Sequence, residues 1–341
     1  MDRMEYAKAL TEEDLRIIEN AYNIRITGMR QLFTGADKNT FVYEVNTGKE
    51  NSGQKVFFLK IRTGDFIESS IQIPHFLFLN NSAHIIDPVK TVRGQLYLKM
   101  ADHAVVLYPF IRGKSGREAA LTKTQWIEFG AALRKIHDTI LPLNTAKIPQ
   151  ETYDGRWRNK LKDYMKELKV KTIESEYARS FVALYDGKRE LINKMIFRTE
   201  ELLKEIQGSK QDHCLCHGDI HAANLLVINK KEFKIVDWDT LIMAPGERDL
   251  MFIGGGVTHK WNTAEEEHYF YEGYGGREKV NRRLIVYYRF GRIIEDLAEY
   301  YEQFFTAGIG EKNQKVILEI VKNQFEPNDV VDMAFRGDGS A

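Results

Sequence analysis

The sequence predicts an α+β fold with two lobes: an N-terminal lobe built on an antiparallel sheet and a larger, helical C-terminal lobe. Two observations support this prediction. Stretches rich in β-branched and aromatic residues, separated by turn-forming clusters, fill roughly the first 110 residues. Apolar residues repeat at helical spacing through most of the remainder. The chain has 341 residues, which is enough for two lobes with a sizeable core.

The predicted N-terminal lobe covers residues 1–107. We expect its first helix to begin at Thr11, because the side chain can cap the helix and the acidic residues 12–14 suit the positive end of the helix dipole. A second, short helix is expected near residues 66–79, interrupted by Pro74. Strand-like composition predicts five strands, around residues 24–32, 40–45, 56–61, 95–99 and 104–109.

The predicted C-terminal lobe covers residues 113–341 and follows a hinge at residues 108–112. A helical insertion is expected at about residues 150–208. Strand-like composition interrupts the helices at three neighbouring segments, residues 213–216, 224–228 and 233–236. Helical spacing predicts helices at residues 122–140, 156–169, 177–206, 263–273, 281–306 and 311–324. A hinge between two lobes creates a natural cleft for a ligand.

Charge and composition narrow the classes of function. Lys and Arg together number 49, as do Asp and Glu, so the formal net charge at pH 7 is zero. Nucleic acid is therefore not expected as the main partner, since it requires a basic surface. No apolar run approaches the ~18 residues needed to cross a bilayer, and the charged N-terminus lacks a secretory signal. We expect a cytoplasmic protein that is not bound to a membrane.

Two cysteines, Cys214 and Cys216, are the only ones in the chain, which argues against a disulfide framework. With His213, His217 and His221 they form a Cys/His group that suggests zinc. The C-x-C spacing differs from the usual spacing of zinc ligands, and strand geometry places both thiols on one face. We therefore expect buried thiols that pack as small hydrophobic groups.

The strongest chemical signal is HGDIHAAN at residues 217–224, followed by IVDWD at residues 235–239. Asp219 precedes Asn224 by the H-x-D-x-x-x-x-N spacing of a kinase catalytic loop. Phosphoryl transfer needs a carboxylate that orients the attacking hydroxyl, and hard oxygen ligands that hold Mg2+ on the phosphates. The pattern predicts Asp219 as the catalytic base, and Asn224 and Asp237 as ligands of Mg2+.

The N-terminal half supplies a lysine that can hold phosphates. Lys60 lies in the strand-like run FFLKI at residues 57–61. A lysine among apolar neighbours is costly to bury unless it meets an anion. The expected anions are the phosphates of ATP and a helix glutamate, for which we favour Glu68 over other nearby carboxylates such as Asp65.

These segments together resemble the aminoglycoside phosphotransferase and choline kinase superfamily, which has a two-lobed, protein-kinase-like fold. The resemblance covers nearly the whole chain: Lys60, LYPF at residues 107–110, LRKIH at residues 133–137, and the HGDIHAAN and IVDWD segments. It implies an ATP-dependent enzyme that moves the γ-phosphate to a hydroxyl of a small molecule. Asp219 would be the base, Asn224 and Asp237 would bind Mg2+, and Lys60 would bind phosphate.

The resemblance also implies a nucleotide site made by the hinge and by a loop of the N-terminal lobe. Backbone groups near Tyr108, Phe110 and Ile111 would bond the adenine. The loop at residues 33–40 has one glycine instead of the G-x-G-x-x-G of protein kinases. Its phosphate contacts are expected from backbone amides and from Thr34, Asn39 and Thr40. The choice between ATP and GTP and the oligomeric state stay open at this point.

Within the superfamily, the C-terminal half is most similar to the spectinomycin phosphotransferase branch. The similar segments are ERDLMFIGGGV, FYEGYG, YYR and RIIED, at residues 247–257, 270–275, 287–289 and 292–296. The similarity implies an aminocyclitol acceptor and a role in antibiotic resistance. A polyol with ammonium groups would need carboxylates and aromatic faces. The candidates are Asp239, Trp261, Glu272, Tyr274, Glu295 and Asp296.

Other conspicuous residues are expected to have structural roles. We expect His137 to be a hydrogen-bonded core histidine and His217 to brace the catalytic loop. Arg248 and Asp249 are expected to form a pair that braces the metal-binding loop. The glycines at residues 254–256 follow no strong strand and precede no GK[ST], so a turn is expected there rather than a phosphate loop.

Three other functions are compatible with parts of the pattern. The first is a metabolic kinase of the same superfamily, acting on choline, ethanolamine, homoserine, a methylthio-sugar or a glycated amine. The second is a pseudokinase, although its usual sign, the loss of a catalytic group, is absent from the sequence. The third is a protein kinase, which the absence of HRD, DFG and APE segments disfavours.

Overall fold

The computed structural model describes residues 10–32, 39–48, 55–64, 66–80, 82–142, 147–169, 175–208, 210–255, 260–306 and 308–339. Within these ranges, no helix is both long and apolar enough to span a membrane. The first part of the chain forms an antiparallel sheet with two helices, and the rest is mainly helical.

Five antiparallel strands form the first sheet, in the spatial order β1-β2-β3-β5-β4. The strands are β1 (Arg25–Leu32), β2 (Thr40–Gly48), β3 (Lys55–Thr63), β4 (Leu98–Lys99) and β5 (His103–Pro109). Helix α1 (Glu12–Tyr22) precedes them and begins with a capping box between Thr11 and Asp14. Helix α2 (Ser69–Leu79) follows β3 and continues through Pro74, which is buried.

Lys60 lies in the middle of β3, opposite Val42 of β2 and Val106 of β5. Its neighbours Leu59 and Ile61 are buried in a small core that the sheet forms with α1. Because successive side chains of a strand point to opposite faces, Lys60 points away from that core.

Helices dominate the chain after β5. They are α3 (Lys123–His137), α4 (Arg156–Glu167), α5 (Glu176–Gly187), α6 (Arg189–Gln207), α7 (Glu247–Leu250), α8 (Ala264–Tyr274), α9 (Arg282–Phe304), α10 (Glu311–Gln324) and α11 (Val330–Asp338). The long helix α9 packs against α4, α6, α10 and α11. It therefore forms the centre of the helical part.

Two glycines allow α3 and α8 to cross in close contact. A Cβ at Gly130 would lie 2.0 Å from the carbonyl oxygen of Phe270, and one at Gly273 would lie 1.8 Å from that of Ile127. Only glycine fits at such distances. The close crossing brings the Phe129 and Phe270 rings together edge to face, with 5.1 Å between their centroids.

Short strands carry the segments that the sequence singled out. One small sheet has the order β6-β8-β9, formed by β6 (Lys114–Ser115), β8 (Leu225–Val227) and β9 (Phe233–Ile235). In the other, β7 (Cys214–Cys216) pairs with β10 (Ile242–Ala244). The catalytic-loop segment runs from β7 to β8, and IVDWD runs from β9 towards β10. Both segments therefore lie on connections between the two small sheets.

Several elements differ from the sequence-based expectation. Helix α2 continues through Pro74, where an interruption is expected, and the strand expected at residues 95–99 is only Leu98–Lys99. The helix expected at residues 177–206 is two helices, α5 and α6, which meet at Lys188. Gly187 ends the first of them, and glycine costs roughly 1 kcal/mol in a helix interior. Helix α11 was not expected, and the helix expected from residue 66 begins at Ser69.

The larger core does not follow the order of the chain. Ile73 and Leu77 of α2 are buried in the same apolar cluster as Phe129 of α3 and Phe290 of α9. The backbone of Ile235, at the end of β9, donates to the carbonyl of His84 at 2.8 Å. Helix α2 and the segment after it therefore contact the helical part directly.

Candidate active site

A buried aspartate holds the start of the catalytic loop. The Asp249 carboxylate accepts from the backbone N–H of His217 at 2.8 Å and from that of Gly218 at 2.7 Å. Gly218 has φ +86°, and a Cβ there would lie 2.2 Å from the Thr240 carbonyl oxygen, so glycine is required. Asp219 follows directly, and its direction is therefore set by a fixed backbone. Asp249 braces the catalytic loop, where the sequence suggested the metal-binding loop.

His217 links the two loops of the site. Its Nε2 lies 3.0 Å from the Val236 carbonyl oxygen, and its Nδ1 accepts from the backbone N–H of Asp219 at 3.4 Å. The side chain is fully buried. The imidazole thus joins the catalytic loop to the segment that carries Asp237, which agrees with the bracing role expected from sequence.

The Asp219 carboxylate contacts two basic side chains. Arg292 Nη1 donates to Oδ1 at 2.7 Å, and His221 Nε2 lies 3.4 Å from Oδ2. Burial alone would raise the pKa of Asp219, but Arg292 and His221 outweigh burial and hold the pKa well below its usual range. Asp219 is therefore ionised at neutral pH and able to accept a hydrogen bond from a hydroxyl.

Helix α9 carries an acidic group beside Asp219. Arg292 Nε donates to Asp296 at 2.8 Å, one helical turn away. Burial raises the pKa of both Glu295 and Asp296, against the opposing effect of Arg292. Burial, together with the charges of Glu295 and Asp296, raises the pKa of Glu299 to about 7. Burial is the largest cause of all three shifts, so a cation bound nearby would favour the ionised forms of these carboxylates.

A cleft opens beside this face of α9. Of the acidic group only Asp296 lines it, together with the three arginines Arg117, Arg289 and Arg292. Its lining includes His221 and Tyr300. Gln324 of α10 also lines it and is 6% exposed, and among the residues that the structure describes its Oε1 has no hydrogen-bond partner. A buried acceptor without a donor is costly, so a ligand that supplies an N–H or O–H would gain from binding here.

Lys60 reaches the segment after β9. Its Nζ lies 2.7 Å from Asp239 Oδ2 and 3.2 Å from Asp237 Oδ1, and Arg62 donates to the same Asp239 oxygen at 2.6 Å. Burial would lower the pKa of Lys60, but the two carboxylates outweigh burial and raise the pKa above its usual value. Lys60 is therefore a permanent cation, and this second cluster pairs two cations with two carboxylates.

Two residues at or near the catalytic loop, Asn224 and Asp237, carry oxygen atoms of the kind that a hard cation binds. Asn224 donates its side-chain N–H to the backbone oxygen of Asp219 at 2.8 Å, which leaves its amide oxygen as the outward donor. Asp237 has φ +66°, a conformation that aspartate adopts rarely and often at functional sites. Its side chain is about half exposed, at 52%. The donor set of carboxylate and amide oxygens fits Mg2+.

Several residues predicted for the nucleotide site occupy different positions. Glu68 accepts from the Tyr97 hydroxyl at 2.6 Å, and Lys60 pairs with Asp237 and Asp239 in its place. The expected pair of Glu68 with Lys60 is therefore not formed. Glu68 precedes the first turn of α2, where it meets the tyrosine on the chain before β4.

The remaining nucleotide candidates are only partly described. Thr34 and the alternative carboxylate Asp65 lie outside the described residues. The Thr40 hydroxyl accepts from Arg62 at 3.3 Å, and the Asn39 carbonyl accepts from Thr63. At the hinge, Tyr108 is paired with Phe58 across the sheet, the Phe110 N–H donates to Val56 at 3.2 Å, and Ile111 is half-buried. The Phe110 amide is thus already used within the protein.

The six acceptor candidates divide into three groups. Glu295 and Asp296 belong to the acidic group on α9, whereas Asp239 lies with Lys60. Trp261 and Tyr274 are buried in the core and do not line the cleft. Trp261 stacks edge to face on Trp126, Tyr274 bonds His137, and Glu272 lies on the exposed side of α8.

Sequence reasoning missed Arg292, Glu299 and Gln324. A signal for the first two exists: residues 292, 295, 296 and 299 follow the spacing that places side chains on one face of a helix. An amphipathic helix with one arginine and three acids on that face predicts a charged cleft. Gln324 has no such signal, because its role depends on the packing of α10 against α9.

Comparison with known proteins gives consistent matches. A model of the phosphotransferase enzyme family matches residues 43–283. Spectinomycin phosphotransferase APH(9)-Ia, solved with ADP and spectinomycin, is 32% identical, with 97% of this chain and 99% of that chain covered and a TM-score of 0.88. Its AMP-bound complex is 30% identical, with 96% and 98% covered and a TM-score of 0.83. A search of curated proteins found no match.

More distant structures share the fold. An amicoumacin kinase is 16% identical, with 98% and 99% of the two chains covered and a TM-score of 0.64. The two-lobed fold and the superfamily resemblance predicted from sequence are thereby confirmed. The family match covers well over half of the chain, and the nearly full-length similarity includes both the sheet and the helical part. The chain therefore belongs to the phosphotransferase enzyme family, as an ATP-dependent enzyme that transfers phosphate to a hydroxyl acceptor.

Proposed function

We propose that this enzyme phosphorylates a hydroxyl of an aminocyclitol or aminoglycoside, in the manner of a spectinomycin phosphotransferase, and that its role is antibiotic resistance. The observation that carries the proposal is the row of three partly buried carboxylates on α9 beside Asp219. Glu295, Asp296 and Glu299 all lie near Arg292, and burial raises the pKa of each of them. A polyol with ammonium groups would favour the ionised forms of these carboxylates, whereas a neutral alcohol would not.

Asp219 is the proposed catalytic base. The acceptor hydroxyl donates to its carboxylate, the hydroxyl oxygen attacks the γ-phosphorus in line, and the bond from phosphorus to the ADP oxygen breaks. The hydroxyl proton passes to Asp219. Because such transition states are loose, the carboxylate acts first by orienting the hydroxyl, and its low pKa is no obstacle. Arg292 holds one oxygen of Asp219, and His221 lies 3.4 Å from the other.

Lys60 is the proposed phosphate ligand. Its Nζ contacts Asp237 and Asp239, and the phosphate oxygens of ATP are the further anions that it would bind. Asn224 and Asp237 are the proposed ligands of Mg2+, which when bound supplies positive charge against the phosphates. We further propose that residues 1–107 and the hinge at 108–112 bind the nucleotide, and that the enzyme works in the cytoplasm, where ATP is abundant.

Gln324 is a proposed acceptor contact. Its buried Oε1 can accept from a hydroxyl or an ammonium group of the substrate. The residue lines the same cleft as Arg292 and Asp296.

The test is ADP release with Mg-ATP alone, with spectinomycin, with kanamycin and with choline, using Asp219→Ala as the blank. We expect turnover with spectinomycin that the variant abolishes. Turnover with choline alone would retain the mechanism and replace the aminocyclitol by a small metabolic alcohol. ATP binding without turnover on any alcohol would contradict the proposed acceptor class.

A further inference from the structure

A cluster of soft ligand atoms lies behind the catalytic loop, away from the cleft. Cys214 and Cys216 are on one face of β7, and their sulfur atoms are 3.9 Å apart. His137, the last residue of α3, joins them, and the two sulfur atoms and a ring nitrogen lie within 4.8 Å of one another. The sequence alone did not reveal this group, because its third member precedes the cysteines by more than seventy positions.

We propose that His137, Cys214 and Cys216 form a binding site for a thiophilic divalent ion, with Zn2+ as the physiological candidate. Zn–S bonds are about 2.3 Å long, so two thiolates on a tetrahedral ion lie about 3.8 Å apart. The observed separation of 3.9 Å meets that requirement without movement of the strand. Two thiolates also cancel the charge of the ion, which lowers the cost of placing it among buried groups.

The histidine has the support that metal-binding histidines require. Its Nε2 lies 3.1 Å from Asp249 Oδ2, and its Nδ1 lies 2.7 Å from the Tyr274 hydroxyl. Whichever nitrogen takes the ion, the other keeps a hydrogen-bond partner that fixes the ring. Cys216 is fully buried, whereas Cys214 is partly exposed. We therefore expect the ion to enter from the Cys214 side, where a water molecule would be its fourth ligand.

This site differs from the proposed Mg2+ site in chemistry. Thiolates select soft ions, and Mg2+ requires oxygen ligands. The two sites are nevertheless connected, because Asp249 bonds both His137 and the backbone of His217 and Gly218. An ion on His137 would thus lie one side chain away from the backbone that directs Asp219.

A disulfide is the competing use of the same thiols. Residues two apart on an extended strand have Cα atoms about 6.6 Å apart, near the upper limit for a disulfide. Oxidation would therefore distort β7, whereas ion binding would not.

Binding of Co2+ is the direct test, because the chain has only two cysteines and any sulfur-to-cobalt charge-transfer band must come from them. The full-length, reduced and chelator-treated protein is titrated with Co2+ and then with Zn2+. We expect a charge-transfer band with the visible bands of a tetrahedral ion, and we expect Zn2+ to abolish both. Cys214→Ser should remove most of the band, and His137→Gln should weaken binding by roughly 10-fold or more.

His213→Gln is the matched control, since this exposed histidine is next to Cys214 in sequence but outside the cluster. It should bind Co2+ as the unmodified protein does. Zn2+ should also raise the Tm of the unmodified protein, and Cys216→Ala should lose that increase. No band at millimolar Co2+, an unchanged affinity in a folded His137→Gln variant, or a disulfide found by mass after metal addition would overturn the proposal. None of these measurements depends on phosphate transfer.

Discussion

The two charged clusters of the site differ in the balance of their charges. Around Lys60, two cations meet two carboxylates, so the cluster is neutral before any ligand binds. Around Asp219, one arginine meets that carboxylate and three more on α9, and the pKa values of those three are raised. The difference indicates which kind of ligand each cluster would bind. The cluster around Lys60 would bind an anion together with a cation, as in a metal–nucleotide complex. The cluster around Asp219 would bind a cation.

Replacement of the proposed base, Asp219, should have the largest effect on activity. We expect Asp219→Asn to lower kcat by roughly 1000-fold, because the amide cannot accept the hydroxyl proton and general-base groups contribute factors of this order. Steady-state kinetics with a saturating acceptor would measure the loss. Asp212→Asn, an exposed aspartate upstream of β7, is the control and should retain full activity. Near-normal turnover in Asp219→Asn would assign the base to another residue.

Replacement of Lys60 should disturb the cluster in which cations and carboxylates balance. We expect Lys60→Met to lower kcat/KM for ATP by roughly 100-fold, since one charged donor to the phosphates is lost and Asp237 and Asp239 remain with Arg62 alone. Lys55→Met is a matched control on the same strand, because Lys55 is exposed. An equal loss in both variants would mean that the effect comes from the strand and not from the phosphate contact.

Arg292 connects the base to the acidic group, and its removal should appear in the pH profile. Arg292→Gln removes the largest charge that opposes burial at Asp219, so the pKa of Asp219 should rise. As the pH is lowered, the activity of the variant should therefore begin to fall at a higher pH than that of the unmodified enzyme. We expect roughly 10-fold lower kcat at neutral pH. Arg283→Gln, on the exposed side of α9, should keep the original profile.

The smallest expected effect concerns Glu299, and it tests whether the acidic residues of α9 bind the acceptor. The pKa of Glu299 is raised to about 7, so the residue is largely neutral below that pH and ionised above it. KM for a cationic acceptor should therefore fall as the pH rises through 7. Glu299→Gln should raise KM by roughly 3-fold above that pH and remove the pH dependence. Glu311→Gln on α10 is the control, and an unchanged KM profile in Glu299→Gln would separate the acidic group from acceptor binding.

The sequence predicted the parts of the site that depend on local spacing. Asp219 and Asn224 are five positions apart on one loop, and Asp237 follows the next hairpin, so their proximity follows from chain connectivity. Lys60 was recognisable because a lysine inside an apolar strand requires an anion. The fold class followed from periodicity, which reports which face of each element is buried.

The other contacts depend on tertiary packing. The pair between Arg292 and Asp219 joins residues 73 positions apart and exists only because α9 passes beneath the catalytic loop. Glu68 was predicted to pair with Lys60 from the general pattern of kinases, but the direction of α2 brings it to Tyr97. Tyr274 was predicted to contact the acceptor, but the close crossing of α3 and α8 buries its side chain against His137.

That crossing has a consequence for synthesis of the protein. The apolar face of α3, with Trp126, Phe129 and Leu133, is covered by α8, which begins only at Ala264. Ribosomes add roughly 5–20 residues per second, so α3 leaves the ribosome on the order of 10 s before its partner exists. During this interval an uncovered aromatic surface is available to chaperones and to other nascent chains. The yield of folded enzyme should therefore depend on translation speed and chaperone supply more than its final stability would suggest.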